Sequence, residues 1–272
     1  MTATEKLQND TPRVIVSAAE RLAAARRTAT PCPPVRDLLG TEDVAAAYEV
    51  QQRFVDDCER DGARIVGRKI GLTSPAVQRQ LGVDQPDFGV LFADMDVSGL
   101  SEVPVGVLLQ PKVEAEVAFA LSADLDGPTD LETVRAAVGH AVAAIEIVDS
   151  RVAAWDITIT DTVADNASSG LFVLGDNPVS LADFEPISTS MTMSVDGEVV
   201  SEGTGADCLG DPLIALQWLA RTAADFGSPL RAGQVVLSGA LGPMAPVHPG
   251  SVVRAEISGL GIVEVSFARG DL

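Results

Sequence analysis

The sequence predicts an α+β fold: a helical N-terminal segment followed by a curled, mixed β-sheet domain. Three observations carry this. Residues 1–63 hold two stretches of helical apolar spacing and no strand pattern. Residues 64–272 are rich in short β-type runs bounded by Gly, Pro, Asn and Asp. The few helical stretches among those runs are inserted irregularly, so the alternating βαβ rhythm of a parallel sheet is missing. We therefore divide the chain into a helical segment, 1–63, and a sheet domain, 64–272.

The elements follow in order. Residues 1–12 read as frayed. Val14 to Arg27 is an Ala-rich helix that stops before Pro31, Pro33 and Pro34. A second helix starts at a Thr41 N-cap signal, and its stripe Val44, Ala47, Gln51, Phe54 and Cys58 needs a surface to cover. Arg64 to Leu72 is a strand interrupted by Gly67 and Gly71. A short helix from Pro75 to Leu81 and a loop from Gly82 return the chain to extended form before Phe92. Val113 to Leu121 alternates cleanly. Leu131 to Ala144 reads as a helix feeding an apolar strand, Ala144 to Asp149, and Asp156 to Asn166 as an irregular polar loop. Gly170 to Leu174 is a buried strand. Met191 to Val200 is a hairpin turning at Asp196-Gly197. Asp211 caps a helix with Pro212 at its first position, and Gly227 ends it. Val235 to Leu237, Ser251 to Ile257 and Ile262 to Phe267 complete the strands.

Composition narrows the partners. The formal net charge of −20 argues against nucleic acid and acidic membrane surfaces as partners, though a bound cation can locally invert the field. Three scattered cysteines, Cys32, Cys58 and Cys208, provide neither metal spacing nor a disulfide framework, which points to a reducing cytosol. The first ten residues have no apolar signal core, and no apolar run is long enough to span a bilayer.

The chemistry concentrates on the stretch Lys112-Val-Glu-Ala-Glu-Val-Ala-Phe-Ala-Leu121. In a strand, Val113, Ala115, Val117 and Phe119 face one way, while Lys112, Glu114 and Glu116 face the other. Residues two apart lie roughly 6.6 Å from each other. Two carboxylates about 4 Å apart repel by roughly 4 kcal/mol at an effective dielectric near 20. A shared proton, a neighbouring Lys or Arg, or a divalent cation must offset that; Lys112 has the parity to pair with one of them. Glu146, among Ile145, Ile147 and Val148, supplies a third carboxylate on an apolar strand. Three carboxylates suit Mg²⁺ or Mn²⁺, which keep positions open for water and substrate; the alternative for Glu146 is an ion pair with Arg151 or another base. Lys69, between Gly67 and Gly71, can hold an anion or move protons. Asp87 sits where a loop meets a strand and can act as a general base. Ser168, Ser169 and Ser238 are glycine-flanked hydroxyls able to bind carboxylate oxygens. No Gly-x-Ser-x-Gly elbow is present, and His140 and His248 lie far apart, which leaves serine hydrolysis and a paired-histidine metal site unsupported.

Five runs in order complete the reading: Gly67-Arg-Lys-Ile-Gly-Leu-Thr, Leu81-Gly-Val-Asp-Gln-Pro-Asp-Phe-Gly, Gln110-Pro-Lys-Val-Glu-Ala-Glu, Asp161-Thr-Val-Ala-Asp-Asn-Ala-Ser and Leu237-Ser-Gly-Ala-Leu-Gly-Pro-Met. Together, from Val44 to Phe267, they resemble the 2-keto-4-pentenoate hydratase (2-hydroxypenta-2,4-dienoate hydratase) family, a relative of the fumarylacetoacetate hydrolase C-terminal domain. The resemblance implies a mixed β-roll core, Mg²⁺ or Mn²⁺ on Glu114, Glu116 and Glu146, an active-site Lys69, an acid/base at Asp87 and a substrate contact at Ser168. Position 112 accepts either basic residue in the family, and Lys112 joins Ser238 as a further candidate substrate contact. The implied setting is a cytoplasmic homo-oligomer in meta-cleavage aromatic catabolism, acting on a small 2-hydroxydienoic or 2-oxo acid, with the pathway's next aldolase as a partner. The nearest rival on the same scaffold is a 2-oxo-3-hexenedioate (4-oxalocrotonate) decarboxylase. Hydrolysis of an acylpyruvate C–C bond fits less well, because neither histidine lies beside a suitable acid. A catalytically silent subunit is disfavoured because every expected site residue is present.

Overall fold

Long alternating runs set the architecture, because a strand with one apolar parity must bury that face. The computed structural model describes residues 3–74, 78, 85–104, 106–127 and 130–270. The short helix expected from Pro75 to Leu81, residue 78 apart, and the first residues of the loop after it lie outside the described residues.

Three helices open the chain: α1 (Ala3–Thr28), α2 (Arg36–Leu39) and α3 (Val44–Arg60). The α1 helix starts at Ala3, so the stretch read as frayed is helical from residue 3. The cap of α3 is Asp43, whose carboxylate accepts from Ala46 N, rather than Thr41. Two antiparallel strands, β1 (Ile65–Gly71) and β2 (Asp87–Phe92), precede the long β3 (Pro111–Leu121). Then come α4 (Leu131–Ala137), β4 (Val138–Asp149), α5 (Ile159–Ala164) and β5 (Ser169–Leu174). The hairpin β6 (Ser190–Val195) and β7 (Glu198–Thr204) turns through Asp196 and Gly197, both at positive φ. The capped helix α6 (Pro212–Asp225) leads to β8 (Val235–Ala240), β9 (Ala245–Pro246), β10 (Val252–Ile257) and β11 (Gly261–Ser266).

The strands form two sheets. A seven-stranded mixed sheet runs β2-β1-β8-β3-β4-β5, with β9 on the end of β3, and a four-stranded antiparallel sheet runs β11-β10-β6-β7. Among the strand pairings of the described residues, β1–β8 is the parallel one. The expected alternation of β3 holds: Val113, Val117 and Phe119 are fully buried in the larger core beside Ile145 and Ile147. Met193, Val253 and Ala255 of the smaller sheet and Leu213, Leu216 and Leu219 of α6 join that core. The opposite face of β3 and β4 places Ala118 and Ala144 in a second cluster with Phe92 and Phe172.

Two expectations are corrected here. The helix expected over Leu131 to Ala144 ends at Ala137, and Val138 to Ala144 is strand. The reason is pairing: β4 runs antiparallel to β3 along its whole length, from Pro111 opposite Asp149 to Leu121 opposite Val138. That ladder outweighs the helical propensity of the Ala-rich run. The polar loop expected over Asp156 to Asn166 contains α5, opened by a Thr158/Asp161 capping box.

Asp161 also ties the N-terminal segment to the sheet domain. It is fully buried. Its carboxylate accepts from Val35 N at 2.8 Å, Arg36 N at 2.9 Å, Arg36 Nη1 at 2.7 Å and Thr158 N at 2.9 Å. Asp161→Ala strands these donors and should lower unfolding stability by about 3 kcal/mol, read as a shift in denaturant midpoint at unchanged slope. A shift within error would mean that the segment is held by its apolar contacts alone.

Candidate active site

The register of β3 and β4 assembles three carboxylates. Glu114 lies directly opposite Glu146, and Glu116 follows two residues on, on the face Glu114 occupies. One oxygen from each lies within 4.8 Å of the others. Glu116 and Glu146 are fully buried, and Glu114 is half-buried. Glu116 Oε2 accepts from Gly239 N at 2.7 Å. Among the described residues its Oε1 and both Glu146 oxygens have no hydrogen-bond partner. Lys69 Nζ stands 3.3 Å from Glu146 Oε1, an ion pair at the long end of contact.

Such an arrangement is costly for the protein alone. Each unsatisfied buried polar group costs about 1–3 kcal/mol, and more when charged. Burial pushes the acids up: Glu116 well above the ordinary carboxylate range, Glu114 upward, and Glu146 to about 7 even though Lys69 pulls it down. Three carboxylates against one ammonium leave two negative charges, the charge of one divalent cation. Oxygen-only donors, orphaned and converging, fit Mg²⁺ or Mn²⁺ on chemical grounds.

Of the pairings expected to compete for these glutamates, Glu146 has the one with another base, Lys69, and not the one with Arg151. Arg151 binds Asp165 through Nε, so it is not the partner of Glu146. Lys112 makes no ion pair with Glu114 or Glu116 among the described residues; its ammonium rests 4.3 Å above the Trp155 ring. Burial lowers the Lys112 ammonium, and Glu114 partly restores it.

Lys69 and Asp87 come together through β1 and β2, whose register sets Gly71 opposite Asp87. A Cβ on Gly71 would lie 2.2 Å from Asp87 Oδ1 and 3.3 Å from Lys69 Nζ, so a side chain there would displace the Asp87 carboxylate. Burial pulls the Lys69 ammonium down, but Glu146, Asp87, Glu114 and Glu116 together raise it above its ordinary value. Burial raises the Asp87 carboxyl against the pull of Lys69. Among the described residues Asp87 Oδ1 has no hydrogen-bond partner. Its Oδ2 takes a long 3.4 Å contact from Thr162 Oγ1, which lies 3.2 Å from Ser168 Oγ.

The turn after α5 meets this pair. Asn166, Ala167 and Ser168 have φ values of 54°, 51° and 52°, left-handed backbone in three successive non-glycine residues. That conformation costs roughly 1–2 kcal/mol per residue. It carries the Ala167 carbonyl to 3.0 Å from Lys69 Nζ. Ser238 is fully buried, its hydroxyl without a hydrogen-bond partner among the described residues, and its carbonyl accepts from Cys208 Sγ at 3.0 Å. His140 and His248 are both exposed. The sequence reading did not single out Thr162, Asn166 or the Ala167 carbonyl. Thr158-x-x-Asp161 was the available sign that a helix, not a loop, delivers Thr162 to Asp87.

Residues 78–268 match the family model described as fumarylacetoacetate (FAA) hydrolase C-terminal. The chain is 53% identical over 264 residues to the TodF product hydratase of Pseudomonas putida F1, covering 96% of this chain and 98% of that protein. It is 52% identical over 256 residues to the 2-keto-4-pentenoate hydratase of Burkholderia vietnamiensis, covering 94% and 98%. Among solved structures, 4-oxalocrotonate decarboxylase from Pseudomonas putida G7, complexed with magnesium and adipate, superposes with a TM-score of 0.88 at 33% identity over 94% of this chain and 97% of that one.

The carboxylate cluster makes a pH-dependent signature in metal-free protein. Glu146 holds its proton more tightly folded, at about 7, than at its ordinary 4.5, so its contribution is full below about 4.5 and is lost as pH rises through about 7. With chelator present, unfolding stability should fall across that window by on the order of 3 kcal/mol. Excess Mg²⁺ should raise the unfolding midpoint and flatten the slope. A midpoint indifferent to Mg²⁺ would rule the cluster out as a cation site.

Proposed function

The chain belongs to the 2-keto-4-pentenoate hydratase family, within the fumarylacetoacetate hydrolase C-terminal group, and we propose that it hydrates 2-hydroxypenta-2,4-dienoate in meta-cleavage aromatic catabolism. The observation that carries this choice is the identity of about one half, over nearly the whole chain, to proteins named hydratases. The decarboxylase with the same fold shares only 33%. The product is 4-hydroxy-2-oxopentanoate, reached through the 2-oxo-3-enoate tautomer.

Glu114, Glu116 and Glu146 would hold the Mg²⁺ or Mn²⁺. When bound, that cation supplies Lewis-acid stabilisation of the negative charge developing on the substrate C2 oxygen. The chain's own side chains then have two proton problems to solve. Ketonisation removes a proton from the C2 hydroxyl and delivers one to C5. Hydration places water oxygen at C4 and a proton at C3. Lys69 and Asp87 handle these transfers between them. Their environments suit the work: both are buried, Lys69 is kept charged by the acids around it, and burial favours the protonated form of Asp87. The Ser168 and Ser238 hydroxyls are assigned to substrate oxygens. Lys112 reaches a substrate carboxylate only by leaving Trp155, a contact worth about 0.5–2 kcal/mol.

The product is a β-hydroxy ketone in which the C3–C4 bond is open to retro-aldol cleavage, so the aldolase that consumes it is the natural partner. The family reading also assigns the protein to the cytoplasm as a homo-oligomer. Among the described residues no helix is long and apolar enough to cross a membrane.

Purified protein with Mg²⁺ or Mn²⁺ should bleach the ultraviolet absorbance of 2-hydroxypenta-2,4-dienoate and release no CO₂ from 2-oxo-3-hexenedioate; the reverse pattern would make it a decarboxylase. Chelation should abolish turnover, and Lys69→Ala and Asp87→Asn should each lower kcat by about 10²-fold or more. Near-normal turnover in both variants would remove the two residues from the proton transfers.

A further inference from the structure

The turn at 166–168 spends three non-glycine residues on left-handed backbone, and its surroundings over-determine it. Arg151 grips both ends: Nη2 donates to Asp165 O at 2.6 Å and Nη1 to Ser169 O at 2.7 Å. Ser169 Oγ donates to Asn166 O at 2.8 Å. The Asn166 carboxamide closes on one residue of β2, accepting from Val90 N at 2.8 Å and donating to Val90 O at 2.9 Å. It thus completes the sheet edge as another strand's backbone would. The approach is close: a Cβ on Gly89 would stand 2.4 Å from Asn166 O.

What the turn offers the site is one backbone group and one hydroxyl. The Ala167 carbonyl accepts from Lys69 Nζ, and Ser168 Oγ touches Thr162 Oγ1, which in turn touches Asp87. Ala167 has no polar side chain, so its place at Lys69 depends wholly on backbone conformation. The carboxylates are set separately, by the β3–β4 ladder, and meet this device through Lys69, 3.3 Å from Glu146 Oε1.

We propose that Asn166 is a positioning residue for the acid–base pair: its carboxamide, closed on both backbone groups of Val90, keeps residues 166–168 left-handed and so aims the Ala167 carbonyl at Lys69 and the Ser168 hydroxyl at the Thr162–Asp87 contact. This rests on the reading of Lys69 and Asp87 as the proton carriers. Asn166→Ala removes the latch and leaves the carboxylate cluster in place. A misplacement of about 1 Å at reacting groups costs on the order of 10²-fold in rate, and kcat should fall by that amount. KM for the dienoate and the Mn²⁺ affinity of metal-free protein, titrated calorimetrically, should stay close to wild type.

Glycine accepts positive φ without steric cost. Adding Ala167→Gly to Asn166→Ala should therefore recover most of the lost kcat, which repair of a merely structural defect elsewhere would not do. If Asn166→Ala fails to fold, Asn166→Asp carries the same test, because it keeps the acceptor for Val90 N and loses the donor to Val90 O. Wild-type turnover in Asn166→Ala overturns the proposal. So does a loss of kcat matched by loss of Mn²⁺ affinity and not recovered by Ala167→Gly. A crystal structure of the Asn166 variant separates this inference from the functional reading: residues 166–168 should leave the left-handed region and Lys69 should lose Ala167, whether or not the wild type hydrates a dienoate. An unchanged turn in that crystal sinks the latch alone, and a wild type inert toward the dienoate sinks the hydratase reading alone.

Discussion

Two glutamates face each other across an antiparallel strand pair in a protein interior, and a third stands beside them. Like charges opposite one another on paired strands destabilise a sheet. The protein accepts that cost at the centre of its longest ladder, where the opposite face of the same strands is solidly apolar. The site is rigid for that reason: Glu114, Glu116 and Glu146 cannot separate without breaking the pairing that buries Val113, Val117, Ile145 and Ile147. One ammonium, from Lys69, answers three carboxylates, and the imbalance makes the place receptive to a hard cation.

The rest of the molecule is built toward this imbalance. β8 lies between the lysine strand and the glutamate strand, and its irregularity near Gly239 turns a backbone N–H onto Glu116. Gly239 has φ +109°, and a Cβ there would collide with the Thr73 side chain. Cys208 holds the Ser238 carbonyl one residue away. On the other side, α5 and the left-handed turn bring Thr162, Ala167 and Ser168 to Lys69 and Asp87. The N-terminal helices close over the back of α5, with Asp161 as their anchor. Lys69 and Asp87 on one side and the three glutamates on the other thus arrive on different elements and meet only in the folded chain.

Local chemistry explains which elements were readable. The alternation of β3, the Asp-Gly hairpin and the Asp211-Pro212 helix start are each encoded within a few residues, and each stands as expected. The errors fall where local and long-range preferences compete. Val138 to Ala144 follows a helix and is rich in alanine, yet an eleven-residue partner strand captures it. Asp156 to Asn166 is polar enough to read as loop, yet Thr160, Asp161, Thr162 and Asp165 are buried, with Thr160 and Asp161 fully inaccessible. Lys112 has the right parity to neutralise a glutamate, but an indole placed by Gln110, whose carbonyl accepts from Trp155 Nε1 at 2.9 Å, captures its ammonium instead.

By itself the sequence determined the composition of the chemistry: two carboxylates on one strand parity, a third on another apolar strand, and a glycine-flanked lysine. Parity follows from the two-residue repeat of a strand and needs no knowledge of neighbours. Tertiary structure alone decided the register that sets Glu114 against Glu146, the choice of Lys69 over Arg151 and Lys112 as the answering cation, and the left-handed turn that presents Ala167. Each of these is a contest between groups distant in sequence, and packing, which no local pattern records, settles it.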